Sequence, residues 1–388
     1  MVSTSKKDIQ KGGELAPYPT LNNIVSVADF EKVAERYLSP ASWAYYSSGA
    51  DDEICIDDAR RLFSKIAVRP RILRAVEPVS TATNILGYPS SMPIYISSTG
   101  IGKYAHPDAE KIISSVTGQE GLPYLMPTGS PHEDIFKARS RPDQKIFLQL
   151  YANRDKKKAA DLIHKAERLG AAAVFMTVDT PVLSKRERDD RVQAAAGVDT
   201  ISPTGGGVAK VSSLGLLNPL LTWDDLKWLQ QTTKLPVVLK GIQTVEDAVL
   251  AHAHGASGIV LSNHGGRSLD TAQSPILTLL EIRKYAPQLL EKPIRDKFQV
   301  FLDGGFRRGT DVLKAIALGA SAVGVGRPVL YSLCADYGEE GLKRLIQILR
   351  TEVTTNMALA GAKSVEELVP ELVNTERAER EVSRRVKL

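Results

Sequence analysis

The sequence predicts an α/β fold: a closed (β/α)8 TIM barrel with an N-terminal helical extension and a long flexible loop after the fourth strand. Three observations carry this. Eight short apolar runs alternate with amphipathic helical patterns over most of the chain. Several runs are nearly unbroken in their apolarity, as expected of parallel strands covered on both faces rather than half-exposed antiparallel ones. An open doubly wound sheet would need a G-x-G-x-x-G loop after an early strand, and none follows the first run, Met92–Ser97.

In chain order, residues 1–25 read as a polar arm with prolines and no periodicity. From Val27 an amphipathic segment runs towards Ser48-Gly49-Ala50, which predicts one helix with glycine near its end. A second helical pattern covers roughly Glu53 to Phe63, and Arg69-Pro70-Arg71 breaks it. The apolar runs that follow are Met92–Ser97, Leu122–Met126, Ile146–Leu150, Ala173–Val178, Val237–Lys240, Gly258–Ser262, Val300–Leu302 and Ala322–Val325. Each is too short for a helix and rich in Val, Ile or Leu. Helical patterns such as Lys156–Leu169, Thr244–His254 and Thr310–Leu318 separate them. Eight strands with crossovers in one chain point to the closed barrel, spanning residues 26–380, with 381–388 as a tail. The stretch 191–222, with Gly205-Gly206-Gly207, is too long for an ordinary strand-to-helix loop and reads as a mobile lid or a disordered segment.

Composition narrows the function classes. Of 388 residues, 43% are hydrophobic and 24% charged, values of a soluble globular protein rather than a disordered or fibrous one. The net charge of +5 arises from 50 basic and 45 acidic residues that are mostly interleaved, as in Glu187-Arg188-Asp189-Asp190-Arg191. That describes a mixed solvated surface, which argues against a nucleic-acid partner but leaves room for attraction of small anions. Cys55 and Cys334 lie far apart without C-x-x-C spacing, so neither a disulfide framework nor a zinc site is expected. No apolar run approaches the ~20 residues a membrane span needs, and Met1–Gly13 is polar and lysine-rich, without a secretory signal. The expected compartment is the cytoplasm. The ending Val386-Lys387-Leu388 is similar to a peroxisomal tripeptide, with Val in place of a small residue, and a mitochondrial address is the least expected.

In such barrels the chemistry collects where strands end, because the C-terminal rim carries the eight connecting loops. Those ends read Ser97-Ser98-Thr99, Gln149 with Tyr151, Thr177 with Asp179, Lys240, Ser262 with His264 and Arg267, Asp303-Gly304-Gly305, and Gly326-Arg327. The sharpest signal is Ser262-Asn263-His264-Gly265-Gly266-Arg267. A lone histidine there can be a hydrogen-bonded structural residue, but paired glycines let backbone approach a ligand and Arg267 offers a fork for a carboxylate. A base beside an anion clamp suits deprotonation of a hydroxy acid. Asp179 is either the group that steadies the imidazolium or a turn residue before Thr180-Pro181. The loops Gly304-Gly305-Phe306-Arg307-Arg308-Gly309 and Gly324-Val325-Gly326-Arg327 carry glycines and an arginine each, which points to a phosphate site rather than plain tight turns. Lys240 needs an anionic partner if buried. A Schiff-base lysine and a rim salt bridge remain open for it.

The segments Tyr45-Tyr46-Ser47-Ser48-Gly49-Ala50, Gln149-Leu150-Tyr151, Thr177-Val178-Asp179-Thr180-Pro181, Ser262–Asp270 and Leu302–Asp311 together resemble the FMN-dependent 2-hydroxy acid dehydrogenase family, over roughly residues 25–380. The family includes the flavin domain of flavocytochrome b2 (L-lactate dehydrogenase, cytochrome type), glycolate oxidase and mandelate dehydrogenase. The resemblance implies oxidation of a small L-2-hydroxy acid, lactate-like first, to the 2-oxo acid with FMN as cofactor. It further implies oxygen or a separate carrier as electron acceptor, and a homo-oligomer, often a tetramer. It implies a flavin site at Thr99, Gln149, Thr177, Lys240, Ser262, Asp303, Gly304, Gly305, Arg307, Gly326 and Arg327. Catalysis and substrate binding fall to Tyr45, Tyr151, Arg186, His264 and Arg267, with Asp179 supporting His264. Three departures stand out. Gly100 replaces the usual Ala, Met126–Ser130 is shorter than its counterpart, and no haem-binding domain precedes the barrel. Glycolate, long-chain hydroxy acid or mandelate oxidation is the alternative within the family. A barrel that binds FMN without turnover, to which the shortened segment would point, is the alternative outside enzymes.

Overall fold

A computed structural model describes residues 17–197, 215–384 and 386. Most of the expected polar arm, the triple glycine of the expected lid, and Lys387 and Leu388 of the C-terminal tripeptide lie outside the described residues.

All eight apolar runs are strands of one closed parallel barrel. They are β4 (Ile94–Ile96), β5 (Tyr124–Met126), β6 (Ile146–Leu150), β7 (Val174–Thr177), β8 (Val237–Ile242), β9 (Gly258–Leu261), β10 (Gln299–Asp303) and β11 (Ala322–Val325), and β11 closes on β4. The barrel interior is packed rather than hollow. Tyr95, Phe147, Phe175 and Phe301 fill it together with Leu125, Val238 and Val260. The rings of Phe147 and Phe175 stack with centres 5.3 Å apart and planes 19° from parallel.

Before the barrel come helices α1 (Val27–Tyr37), α2 (Pro40–Ser47) and α3 (Ile54–Ser64), strand β1 (Ala67–Val68) and a hairpin of β2 (Thr83–Ile85) and β3 (Tyr88–Ser90). The single helix expected from Val27 to Ser48 is therefore two. Leu38 and Ser39 are extended, and the Ser39 side chain accepts from the Ser42 N–H to cap α2, with Pro40 at its first position. The hairpin was not anticipated. Its tip residues Ile85, Leu86 and Tyr88 pack on the barrel's aromatic interior, Leu86 N–H donates to the Gln299 side chain at the start of β10, and the Tyr88 hydroxyl donates to Ala172 O just before β7. It stoppers the N-terminal end, so any ligand must enter from the opposite rim.

The connecting helices follow from their sequence pattern. In α6 (Lys156–Leu169), after the short α4 (Ala109–Glu120) and α5 (His132–Lys137), Ala159, Ile163 and Ala166 fall on one buried face. Asp155 accepts from the N–H groups of Lys157 and Lys158, and Gly170 ends the helix at φ +96°. Helix α7 (Glu187–Ala195) intrudes into the stretch expected to be a loop from 191. Glu187, Asp189 and Asp190 sit in its first turn, where carboxylates favour helix, so residues 191–195 of the expected loop are helical.

Candidate active site

The rim opposite the hairpin opens into a cavity of about 270 Å³. Every residue expected at the site lines it except Asp179 and Ser262, which stand directly behind it.

The histidine centre is built by two loops. After β9 the backbone turns through three left-handed residues, His264 (φ +60°), Gly265 (+64°) and Gly266 (+76°), which swings the imidazole over the barrel mouth. His264 N–H donates to Ser262 Oγ at 3.1 Å. From the end of β7, Asp179 Oδ1 lies 2.9 Å from His264 Nδ1, and the Asp179 side chain has no solvent exposure. This contact depends on Gly241 in the bulge of β8. Its φ is +111°, and a Cβ there would fall 2.5 Å from the Asp179 side chain. Burial alone would raise the Asp179 carboxyl. The charges of His264 and Lys240, with hydrogen bonds from His264 and Thr180, outweigh that and hold it below its usual range. The geometry thus favours a buried ion-pair partner over a turn residue. Thr180 was read as part of a turn only, yet its hydroxyl lies 3.1 Å from both Asp179 Oδ1 and His264 Nδ1. Its position directly after Asp179 was the available signal.

His264 Nε2 faces the cavity, 3.4 Å from the Tyr151 hydroxyl. Burial and the nearby Asp179 charge push that hydroxyl up to about 12, so it stays protonated at neutral pH. Two guanidiniums share this side. Arg267 stacks its guanidinium 4.8 Å from the centre of the Tyr45 ring and donates through Nη1 to Tyr45 O and Tyr46 O. Arg186, the residue that caps α7, is buried, and its Nε has no hydrogen-bond partner among the described residues. Leu183, Leu216 and Leu217 add an apolar wall that sequence reading did not single out.

Deeper in, Lys240 Nζ sits 3.2 Å from Asp303 Oδ2 and donates to Ser262 Oγ at 3.1 Å. Burial lowers its affinity for a proton, but Asp303, Asp179 and Tyr151 raise it further than burial lowers it. An ammonium held charged is a poor nucleophile, so the Schiff-base reading falls. Gln149 donates to Thr177 Oγ1 at 3.0 Å and accepts from Thr128 N–H at 3.1 Å and Ser98 Oγ at 3.3 Å. Thr128, in the short segment, is thereby fixed in the cavity wall. Thr99 Oγ1 is buried in that wall without a partner among the described residues, an orphan hydroxyl of the kind a polar ligand edge would satisfy.

At the far end, the loop after β10 holds Gly304 (φ +90°) and Gly305 (φ +82°), and a Cβ on Gly305 would fall 2.8 Å from Ala59 O. Arg307 is half-buried there; its Nη1 donates to Phe306 O at 3.1 Å, while its Nε, 3.7 Å from Glu31, has no hydrogen bond among the described residues. Arg327 is committed elsewhere. It donates to the carbonyls of Tyr46 (2.8 Å), Gly265 (2.8 Å) and Ser48 (3.0 Å) while lining the cavity beside Gly326. Of the two loop arginines, Arg307 is the freer cation for a phosphate. The two glycine loops lead into helices α11 (Gly309–Ala317) and α12 (Arg327–Leu333), which come after α8 (Trp223–Thr232), α9 (Val245–Ala253) and α10 (Pro275–Tyr285).

Comparison with known proteins agrees with this arrangement. A family model described as FMN-dependent dehydrogenase matches residues 34–375. The chain is 38% identical over 379 residues to an L-lactate dehydrogenase (cytochrome) of Wickerhamomyces anomalus, covering 96% of this chain and 65% of that protein. It is 39% identical over 357 residues to a glycolate oxidase of Spinacia oleracea, covering 89% of this chain and 94% of that one. The recombinant flavin-binding domain of baker's yeast flavocytochrome b2 superposes with a TM-score of 0.86 at 39% identity, over 96% of this chain and 91% of that one. The chain thus spans less than two thirds of the L-lactate dehydrogenase it matches, and nearly all of the glycolate oxidase. With a barrel of this topology, a histidine–aspartate pair at its rim and a family match over most of its length, the chain belongs to the FMN-dependent dehydrogenase family.

Proposed function

We propose that this chain oxidises a small L-2-hydroxy acid, L-lactate first, to the 2-oxo acid, with FMN as its bound cofactor. The observation that carries the reading is the convergence of His264 Nε2, the Tyr151 hydroxyl, Arg267 and Arg186 on one cavity, with Asp179 behind the imidazole. The residues fit the cofactor. Thr99 Oγ1 and Arg307 Nε are buried polar atoms without a partner among the described residues, and the glycines at 304 and 305 leave backbone open beside them. Thr99, Gln149, Thr177, Lys240 and Ser262 would hold the ring system, and Asp303, Gly304, Gly305, Arg307, Gly326 and Arg327 its tail and phosphate. When bound, FMN supplies the two-electron acceptor, and a fixed cation at Lys240 favours that acceptance.

The chain's own residues divide the remaining work. Arg267 spends Nη1 on the two carbonyls and leaves its other nitrogens for a carboxylate, with Arg186 beside it. His264 Nε2 takes the proton that leaves the substrate. Asp179 holds Nδ1–H and steadies the imidazolium without itself becoming protonated. Tyr151 and Tyr45 present hydroxyls to the same space and orient the substrate.

A second reading, towards longer-chain or mandelate-type substrates, is favoured by Gly100 and Gly129. Both line the cavity, and a Cβ on either would meet nothing within 4 Å among the described residues. That space would admit a larger side chain than a methyl group.

The test is anaerobic. Purified protein should be yellow, and L-lactate, glycolate or L-mandelate should bleach the flavin band, the best of the three naming the substrate. His264→Gln should stay yellow and lose bleaching. A colourless protein that takes up no FMN ends this reading, and a yellow one bleached by none of the acids favours a binding protein without turnover.

A further inference from the structure

Asp189 is fully buried in α7, and neither carboxylate oxygen has a hydrogen-bond partner among the described residues. An isolated buried carboxylate is costly, so its setting needs a reason. Arg186 stands at the start of α7, three residues before Asp189, the charges of Arg186 and Arg267 both favour its ionised form, and Gln193 one turn on offers an amide. Asp190 opposes its ionisation, and Tyr104, itself 6.2 Å from the Tyr45 ring, feels it across the gap between α7 and the rim. Burial pushes the Asp189 carboxyl above its usual range against the pull of both arginines. The arginines are strained in the opposite sense. Burial and repulsion by Arg267 push Arg186 down to about 9.

Two guanidiniums that repel each other need one negative charge between them. We propose that Asp189 is the internal counter-charge of the Arg186–Arg267 pair, and that a substrate carboxylate replaces it, so that anion binding drives a proton onto Asp189. This rests on the proposed carboxylate site and adds a positioning residue with a proton linkage to it. The arriving carboxylate neutralises the same two cations, which weakens the attraction that favours the ionised form of Asp189. One proton comes from solvent, and no bond to the ligand is made or broken. Affinity for the anion should then fall as pH rises past the titration of Asp189, by up to about tenfold per pH unit.

The probe is oxamate, a carboxylate that stays ionised throughout, titrated calorimetrically into FMN-loaded protein in two buffers of different ionisation enthalpy. His264 could also take up a proton, so the comparison is made in His264→Gln. Proton uptake should persist in that variant and vanish in His264→Gln/Asp189→Asn, whose oxamate affinity should be flat with pH and, at high pH, tighter than that of its parent. Asp189→Glu should restore the uptake. A merely structural Asp189 would instead weaken binding at every pH when replaced. Uptake unchanged by Asp189→Asn, or absent while Asp189 is intact, overturns the proposal. Failure of oxamate to bind the unmutated holoprotein overturns the carboxylate site itself.

Discussion

Asp179 Oδ1 lies 2.9 Å from His264 Nδ1, while the second carboxylate oxygen is buried with no partner among the described residues. The carboxylate is thus aimed at the imidazole, with the Thr180 hydroxyl as a second donor to the same oxygen. Asp179→Asn keeps the shape but removes the charge that stabilises a protonated ring. Flavin bleaching by the hydroxy acid should slow by about 10²–10⁴-fold, with FMN content unchanged by absorbance. A slowing of less than tenfold would remove Asp179 from the mechanism.

The Lys240–Asp303 pair has side chains only 6% and 9% exposed. Removing one partner leaves an uncompensated buried charge, so Lys240→Met should cost about 3–5 kcal/mol in urea unfolding. Lys240→Met/Asp303→Leu should recover much of that loss. If the double variant is no more stable than the single one, the pair is not the source of the cost.

Two glycines of the cavity should respond oppositely to alanine. At Gly305 the left-handed φ and the 2.8 Å approach to Ala59 O forbid a Cβ, so Gly305→Ala should lower Tm and weaken FMN retention. At Gly100 a Cβ would meet none of the described residues within 4 Å, so Gly100→Ala should leave Tm within about a degree or two and act on the substrate or oxygen side alone. Dialysis against FMN-free buffer and a thermal melt distinguish them.

Stability should carry a signature of Asp189. Its folded-state carboxyl is raised, so the folded chain binds more protons than the unfolded one above the unfolded value of about 3.9. Stability from this group therefore falls as pH rises from there through the folded value, and then levels. Asp179 works the other way. Its lowered carboxyl contributes stability above about 3.9 that is lost as pH falls through the folded value. Asp189→Asn should gain Tm over the parent at pH 8 and match it near pH 4. An equal Tm difference at both would contradict this.

The barrel was legible because strands covered on both faces must be apolar throughout, and the eight runs from Met92 to Val325 show that directly. His264, Arg267 and the glycine loops were legible because their chemistry is concentrated in a few consecutive positions. The break between α1 and α2 was signalled by Ser39-Pro40 but masked by an apolar period that continues across it. The stopper hairpin was harder, since two three-residue strands give no period to read. Thr180 and Asp189 were not found because their roles depend on neighbours some eighty residues away, His264 and Arg267, which only folding brings close.

Arg327 ties carbonyls from two separate stretches of chain, Tyr46 and Ser48 at the end of α2 and Gly265 in the histidine loop. The segment ahead of the barrel is therefore a wall of the chemical chamber, contributing Tyr45 to it as well. An engineer who trimmed the chain to its eight strand–helix units would keep the cylinder and lose the posture of its imidazole.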